Sequence, residues 1–404
     1  MAYTAFGRTL RKVGVIGSGQ IGPDIALFFS KVLQRSDVPV VVVDVVQQAL
    51  DAGKAKTEKK VAKGVESGAF KPDEAKGLLE NISWTSDYGQ LEGADFVVEA
   101  ATENLDIKRK IFAELERRCA KDAILASNSS HLEPEVIAQG AHWPDRMLVV
   151  HYFFPAERNP LVEVVPGPNT HHTVTDFCMG FYEAIGKVPI RVGSRYGYAI
   201  DPIFEGLFQA AALCVEEGLG SPKVVDAVAV KALGLGVGPF TAMNLTGGNP
   251  LTRHGLDQYT KKINAWFRPP RILDEQLAKG QPWETAARGE QVTYTEEQYD
   301  RISRSLLAAY FGLATEILES GITNLGDLEM AVELGLVMTP PFALMNLIGA
   351  TKAHELARDY KKAHPDFVVP RVLSDKGATG KPWRVPFVFR EDKGDVAVVT
   401  IKRP

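Results

Sequence analysis

Short apolar runs and stretches of helical spacing alternate along the first half of the chain. Val13 to Ile16 reads as a β-strand, Gly17, Gly19 and Gly22 follow at once, and Ile25, Phe28, Phe29 and Val32 then recur on one helix face. Strand, glycine turn and helix is therefore the opening unit. Val40 to Val43 is apolar at every position, as a parallel strand covered on both faces must be, and it ends at Asp44. Phe96 to Glu99, Ala123 to Ala126 and the run inside DRMLVVHYFF predict further strands. Between the first two of these, Ile107, Ile111, Phe112 and Leu115 mark a helix face. Beyond RVGSRYGYAIDP the pattern becomes helical and repeats itself. GPFTAMNL at Gly238 returns as PPFALMNL at Pro340, and FRPPRILDEQLAKGQPW at Phe267 returns as FVVPRVLSDKGATGKPW at Phe367.

Strand–helix alternation predicts an α/β doubly wound sheet of Rossmann type over residues 1–193, followed by an all-α domain with an internal duplication. Its copies are expected at 194–296 and 297–390. Residues 391–404, with an apolar β run from Val396 to Ile401, read as the start of a further, truncated domain. The glycine turn, in which Gln20 and Ile21 also lie, suits a pyrophosphate at a helix N-terminus. Asp44 stands where a carboxylate accepts hydrogen bonds from a ribose diol and repels a 2′-phosphate, so NAD is expected rather than NADP.

The lysines at 54, 56, 59, 60 and 63 form a solvated helix face or a landing surface for a phosphorylated substrate; Lys54 and Lys60 are the candidates for that second role. Glu103, Ser130 and His151 all fall beyond the carboxyl ends of predicted strands, where such folds bind ligands. Ser130 also reads as a helix N-cap with Glu133 completing a capping box. His151 and Glu163 are either a proton-transferring pair or core packing. His171 and His172, after a Pro/Gly/Asn loop, read as surface residues.

Composition narrows the field. The chain has 404 residues, 45% hydrophobic and 24% charged, with a net charge of −4. That is globular and lacks the electrostatic footprint of a nucleic-acid binder, so small-molecule partners are expected. Cys119, Cys178 and Cys214 have neither disulfide-framework nor metal-ligand spacing, and no metal is assigned. No run of eighteen apolar residues and no signal-peptide core is seen, and a soluble cytoplasmic protein without membrane contact is expected.

The motifs VVEAATEN, ASNSSHL, HYFFPAERNPLVEV and GVGPF, in this order after the glycine turn and Asp44, resemble the 3-hydroxyacyl-CoA dehydrogenases of β-oxidation over roughly residues 12 to 250. The resemblance implies hydride transfer between NAD and C3 of an (S)-3-hydroxyacyl-CoA, in fatty acid metabolism. His151 would be the base, and Glu163 would orient and charge its imidazole. It further implies that Ser130 bonds the substrate C3 oxygen and that Glu103 and Lys108 lie near the cofactor. Two positions depart from the family pattern: Phe154 and Asp201 stand where the family has asparagines. The departures keep a second reading open, a catalytically retired NAD-binding or structural module. Single-copy members dimerise through the helical domain, so a pseudo-dimeric monomer or a homodimer is expected. The ending resembles the opening strand of enoyl-CoA hydratases, so a fused hydratase is expected beyond Pro404. A hydroxyisobutyrate-type dehydrogenase would need a lysine base, and DPIFEGLFQAAALCVEEG has none.

Overall fold

The computed structural model describes residues 2–246 and 248–401. The chain forms two compact units, residues 1–195 and 196–404. Within the first, a small hairpin, β1 (Tyr3–Ala5) and β2 (Arg8–Leu10), precedes β3 (Val13–Ile16), α1 (Gly22–Leu33), β4 (Val40–Val43), α2 (Gln47–Glu66), α3 (Pro72–Glu80) and β5 (Ile82–Thr85). There follow β6 (Phe96–Glu99), α4 (Leu105–Arg118), β7 (Ile124–Ser127), the one-turn α5 (Pro134–Ile137), β8 (Met147–Tyr152), β9 (Leu161–Pro166), α6 (His172–Ala184) and β10 (Val188–Arg191).

Eight strands form one sheet in the order β10-β9-β8-β7-β6-β3-β4-β5. The chain runs outward from β3 to β5, then restarts on the other side of β3 with β6. This reversal opens a crevice at the carboxyl ends of β3 and β6, where ligands bind in such sheets. Every residue of β3, β4, β6 and β7 is buried. Helices cover both faces, which is why these strands are continuously apolar, and each fully buried valine there contributes about 1.5–3 kcal/mol. Phe29, Phe96, Phe177 and Phe181 pack ring against ring beneath them.

All neighbouring strands are parallel except one pair, β8 and β9, which run antiparallel with His151 directly opposite Glu163. The connection between them, residues 153–160, is too short for the crossover that a parallel pair needs.

Some details differ from the sequence reading. Ile107 is 43% exposed, and the buried face of α4 is Lys108, Ile111, Phe112 and Leu115. The face is shifted by one residue because Lys108 has a buried carboxylate to meet. The Ser130–Glu133 capping box does not form: α5 starts at Pro134, its N-cap is Glu133, and no side chain caps it. The turn is instead held by Ser129, whose Oγ accepts from the Leu132 amide at 2.9 Å. The N-terminal segment adds a hairpin that the apolar pattern did not mark: Phe6 and Gly7, both at positive φ, make the two-residue turn between β1 and β2.

The second unit holds α7 (Asp201–Glu216), α8 (Pro222–Leu233), α9 (Pro239–Leu245), α10 (Asn249–Lys262) and α11 (Arg271–Lys279), then α12 (Glu296–Ser320), α13 (Leu325–Leu336), α14 (Pro341–Ile348), α15 (Ala350–Ala363) and α16 (Arg371–Thr379). The duplication is written in its hydrogen bonds. Asp226 accepts from the Phe240 and Thr241 amides at the start of α9, and Glu329 accepts from those of Phe342 and Ala343 at the start of α14. Asn244 and Trp283 exchange two bonds, and so do Asn346 and Trp383. The α11 and α16 helices each end on a left-handed glycine, Gly280 and Gly380. Two strands, β11 (Val388–Lys393) and β12 (Val396–Ile401), form a hairpin exposed at every residue. Among the described residues no single helix is long and apolar enough to cross a membrane, and no cluster of His, Cys, Asp or Glu is placed to hold a metal ion.

Candidate active site

The glycine turn joins β3 to α1 with little room to spare. Gly17 sits at φ +101°, and a Cβ there would lie 2.5 Å from the Ala100 carbonyl at the end of β6; one at Gly22 would lie 2.0 Å from the Gly17 carbonyl. A Cβ at Gly19 would meet nothing within 4 Å. Two glycines thus close the strand–helix corner and the third leaves its backbone open to approach, as a pyrophosphate requires. Gln20 is exposed and Ile21, partly buried, is the N-cap of α1. Asp44, at the end of β4, accepts from the Ser18 amide at 2.8 Å through Oδ2 and from the Val46 amide at 2.9 Å through Oδ1. Each oxygen keeps a further lone pair for a diol, and the backbone bonds fix the carboxylate beside the turn. These residues fit a dinucleotide.

Across the crevice, Glu99 ends β6 in full burial. It receives Lys108 Nζ at 2.9 Å on each oxygen, Ser127 Oγ at 2.6 Å and the Ala101 amide at 2.8 Å. Lys108 also lies 3.6 Å from Glu103. Glu103 in turn accepts from Ser129 Oγ at 2.9 Å and the Ser130 amide at 2.8 Å. Desolvation pulls the Glu103 carboxyl upward, but Lys108, the Ser130 amide, His131 and Ser129 together hold it below the ordinary carboxylate range. Glu103, Lys108 and Ser130 are thus gathered at the carboxyl ends of β6 and β7. Glu99, Ser127 and Ser129 belong with them; a carboxylate closing the apolar run FVVE was the available signal for the first.

One strand further on, His151 and Glu163 meet because antiparallel partners put side chains on the same face. Nδ1 lies 2.8 Å from Glu163 Oε2, and both residues are buried. The Phe153 ring packs 4.5 Å from the imidazole, centroid to centroid. Asn128, just past β7, accepts from the Tyr152 amide at 2.9 Å and so ties the end of β8 to the serine turn. Phe154 is 56% exposed.

The lysines of α2 separate. Lys54 lines a surface groove with Glu58, Glu80 and Trp84. Lys60 is committed to two carboxylates, Asp24 at 2.8 Å and Glu157 at 2.6 Å. Asp201 belongs to the second unit, where it opens α7 one turn before Glu205. Burial first, then Glu205 and Asp201, push the nearby Tyr259 hydroxyl far up. His171 caps α6 and His172 is its first residue, as suits an exposed helix start.

Comparison with known proteins agrees with this layout. The family model described as 3-hydroxyacyl-CoA dehydrogenase, NAD binding domain, matches residues 12–195, and the one for the C-terminal domain of the same family matches residues 197–290. A peroxisomal fatty acid beta-oxidation multifunctional protein of Arabidopsis thaliana, AIM1, is 34% identical over 240 residues, 59% of this chain and 32% of its own length. The fatty acid oxidation complex subunit alpha of Shewanella loihica is 28% identical over 389 residues, covering 90% of this chain and 54% of its own. The chain therefore spans between a third and about half of the length of these relatives. The crystal structure of 3-hydroxybutyryl-CoA dehydrogenase from Escherichia coli superposes with a TM-score of 0.79 at 19% identity, covering 92% of this chain and 99% of that one. It therefore shares the fold across both helical copies. With both domain models matched in order over well over half of its residues, and with the glycine turn, Asp44 and the His–Glu pair assembled on one sheet, the chain belongs to the 3-hydroxyacyl-CoA dehydrogenase family.

Proposed function

We propose that the chain oxidises an (S)-3-hydroxyacyl-CoA to the 3-oxoacyl-CoA, with NAD as oxidant. The observation that carries this reading is the buried His151–Glu163 pair at the carboxyl edge of a sheet whose other half carries the dinucleotide turn. With Nδ1 committed to Glu163, proton exchange with substrate falls to Nε2. There the imidazole takes the 3-hydroxyl proton, and Glu163 stabilises the imidazolium that forms. NAD, when bound, supplies the acceptor for the hydride leaving C3. Ser130 donates to the C3 oxygen as it becomes a carbonyl, and the Glu103–Ser129–Ser130 bonds hold the serine turn for that task. Lys54, without a carboxylate of the kind that occupies Lys60, is the lysine of α2 best suited to a phosphate of coenzyme A.

The test is turnover of 3-hydroxybutyryl-CoA with each nicotinamide cofactor. Asp44 is fixed by two backbone amides and cannot turn away from a 2′-phosphate. NAD is therefore expected to exceed NADP in kcat/KM by about tenfold or more, since like charges brought together in a partly desolvated site cost several kcal/mol. Equal values would remove Asp44 from the ribose site, and absence of NADH formation would remove the activity.

The duplicated helical copies support a pseudo-dimeric monomer, because α7 of the first packs on α12 of the second, with Leu313 filling the space that a side chain at Gly206 would need. Sedimentation at micromolar concentration should give the mass of one chain.

A further inference from the structure

Asp24 lies in the first turn of α1, two residues after Gly22, and is wholly buried. Two lysines of α2 reach it, and both use the same oxygen: Lys60 Nζ lies 2.8 Å and Lys56 Nζ 3.1 Å from Oδ1. Lys56 also donates to the Gln20 carbonyl at 2.5 Å. Lys60 continues to Oε1 of Glu157, 2.6 Å away in the connection that follows His151. The second oxygens, Asp24 Oδ2 and Glu157 Oε2, are buried with no protein N–H or O–H aimed at them. Yet the two carboxyl groups share one ammonium, Lys60 Nζ, at 2.8 and 2.6 Å, and so stand side by side. Two anionic oxygens in that position repel, and a buried carboxylate oxygen lacking a donor is costly. One proton converts the contact into a short O–H···O⁻ bond and satisfies both atoms.

We propose that Asp24 and Glu157 share one proton, held on Asp24 and donated to Glu157, and that with Lys60 they form a latch fastening the 153–160 connection to the helix of the dinucleotide turn. Lys60 is then a positioning residue and does not bind substrate phosphate. The latch is independent of the reaction assigned above.

Burial is the main cause that raises Asp24, and Glu157 adds to it against Lys60 and Lys56. Burial also acts upward on Glu157, but Lys60 and the bond from Asp24 outweigh it and leave this carboxyl low. Arg158 stands 3.8 Å from Glu157 on the exposed side. On the inner side, Lys187 donates to the Ala156 and Asn159 carbonyls and holds the same connection from beneath. Burial brings Lys187 down to about 8, with Glu157 opposing. An acid raised by folding contributes stability that is complete below its unfolded pKa and is lost as pH rises through its folded one. The latch therefore weakens on the alkaline side.

The experiment is a pH titration of the full chain, following the Asp24 side-chain carbon by ¹³C NMR and amide exchange of residues 153–160. The Asp24 resonance is expected to stay in its protonated position well above its ordinary pKa of 3.8, and exchange of the connection should quicken as it ionises. Asp24→Asn keeps a donor for Glu157 and cannot ionise, so its connection should stay protected across that same range. Glu157→Gln should lower the Asp24 pKa, because an amide donor favours the carboxylate. Titration of wild-type Asp24 near 3.8, or parallel loss of protection in wild type and Asp24→Asn, would overturn the latch. If Asp24→Asn does not fold, the wild-type titration and Glu157→Gln decide.

Discussion

His151→Gln is expected to lower kcat by about 10²- to 10⁴-fold, the usual loss when a general base is removed, while NADH affinity stays close to wild type. The two effects separate because the dinucleotide turn and Asp44 lie at the ends of β3 and β4, whereas His151 is on β8, three strands from β3 in the order β3-β6-β7-β8. Glutamine is chosen because Glu163 is fully buried and its carboxylate needs a donor in place of Nδ1. An amide can supply one, so the fold is kept while Nε2 is lost as a proton acceptor. Steady-state turnover with 3-hydroxybutyryl-CoA and NADH fluorescence titration read the two quantities. A variant with kcat within about twofold of wild type would show that the proton leaves by another route, since no base-removal effect is that small.

How far the molecule could be read in advance depended on the kind of force that shapes each part. The dinucleotide half was legible because a sheet covered on both faces demands unbroken apolar strands. A turn between Gly17 and Gly22 demands missing side chains, and both leave marks on adjacent residues. The His151–Glu163 contact was legible only through family resemblance. It depends on β9 turning back antiparallel beside β8, and nothing within the twelve-residue spacing states that direction. The repeat was visible as words, PFTAMNL and PFALMNL. Its reason emerged only in the paired bonds of Asn244 with Trp283 and Asn346 with Trp383, which close each copy on itself. Charged residues were the hardest. Lys60 reads in the sequence as a solvated lysine or a landing point for a substrate phosphate, and its partners, Asp24 and Glu157, are 36 and 97 residues away. The apolar pattern puts Ile107 on the buried helix face, only the resemblance places Lys108, near the cofactor, and burial reverses the two.

That reversal carries the second large effect. Lys108→Met is expected to destabilise the protein by about 3–5 kcal/mol, the range for removing one partner of a buried ion pair. Glu99, fully buried, would keep only Ser127 Oγ and the Ala101 amide in place of four donated bonds, too little for a charge inside a sheet. It must then take up a proton or break its strand end. Glu103 loses its nearest cation at the same time, so its carboxyl moves up toward the ordinary range. A carboxylate held low by folding gives stability that is present above its unfolded pKa and lost as pH falls through its folded one. Without Lys108 that protection of the serine turn disappears at a higher pH than in wild type. The double variant Glu99→Leu with Lys108→Met separates charge from packing. Apolar replacement of a whole buried pair is often neutral or stabilising, so most of the lost stability should return. The Ser129–Ser130 turn, still lacking the cation beside Glu103, should remain loose, and turnover should stay low while the melting temperature recovers. Urea denaturation at pH 7 and kcat on the three proteins test this. A loss below about 1 kcal/mol in Lys108→Met would mean that water reaches Glu99 and that the pair is not the dry anchor on which the serine turn rests.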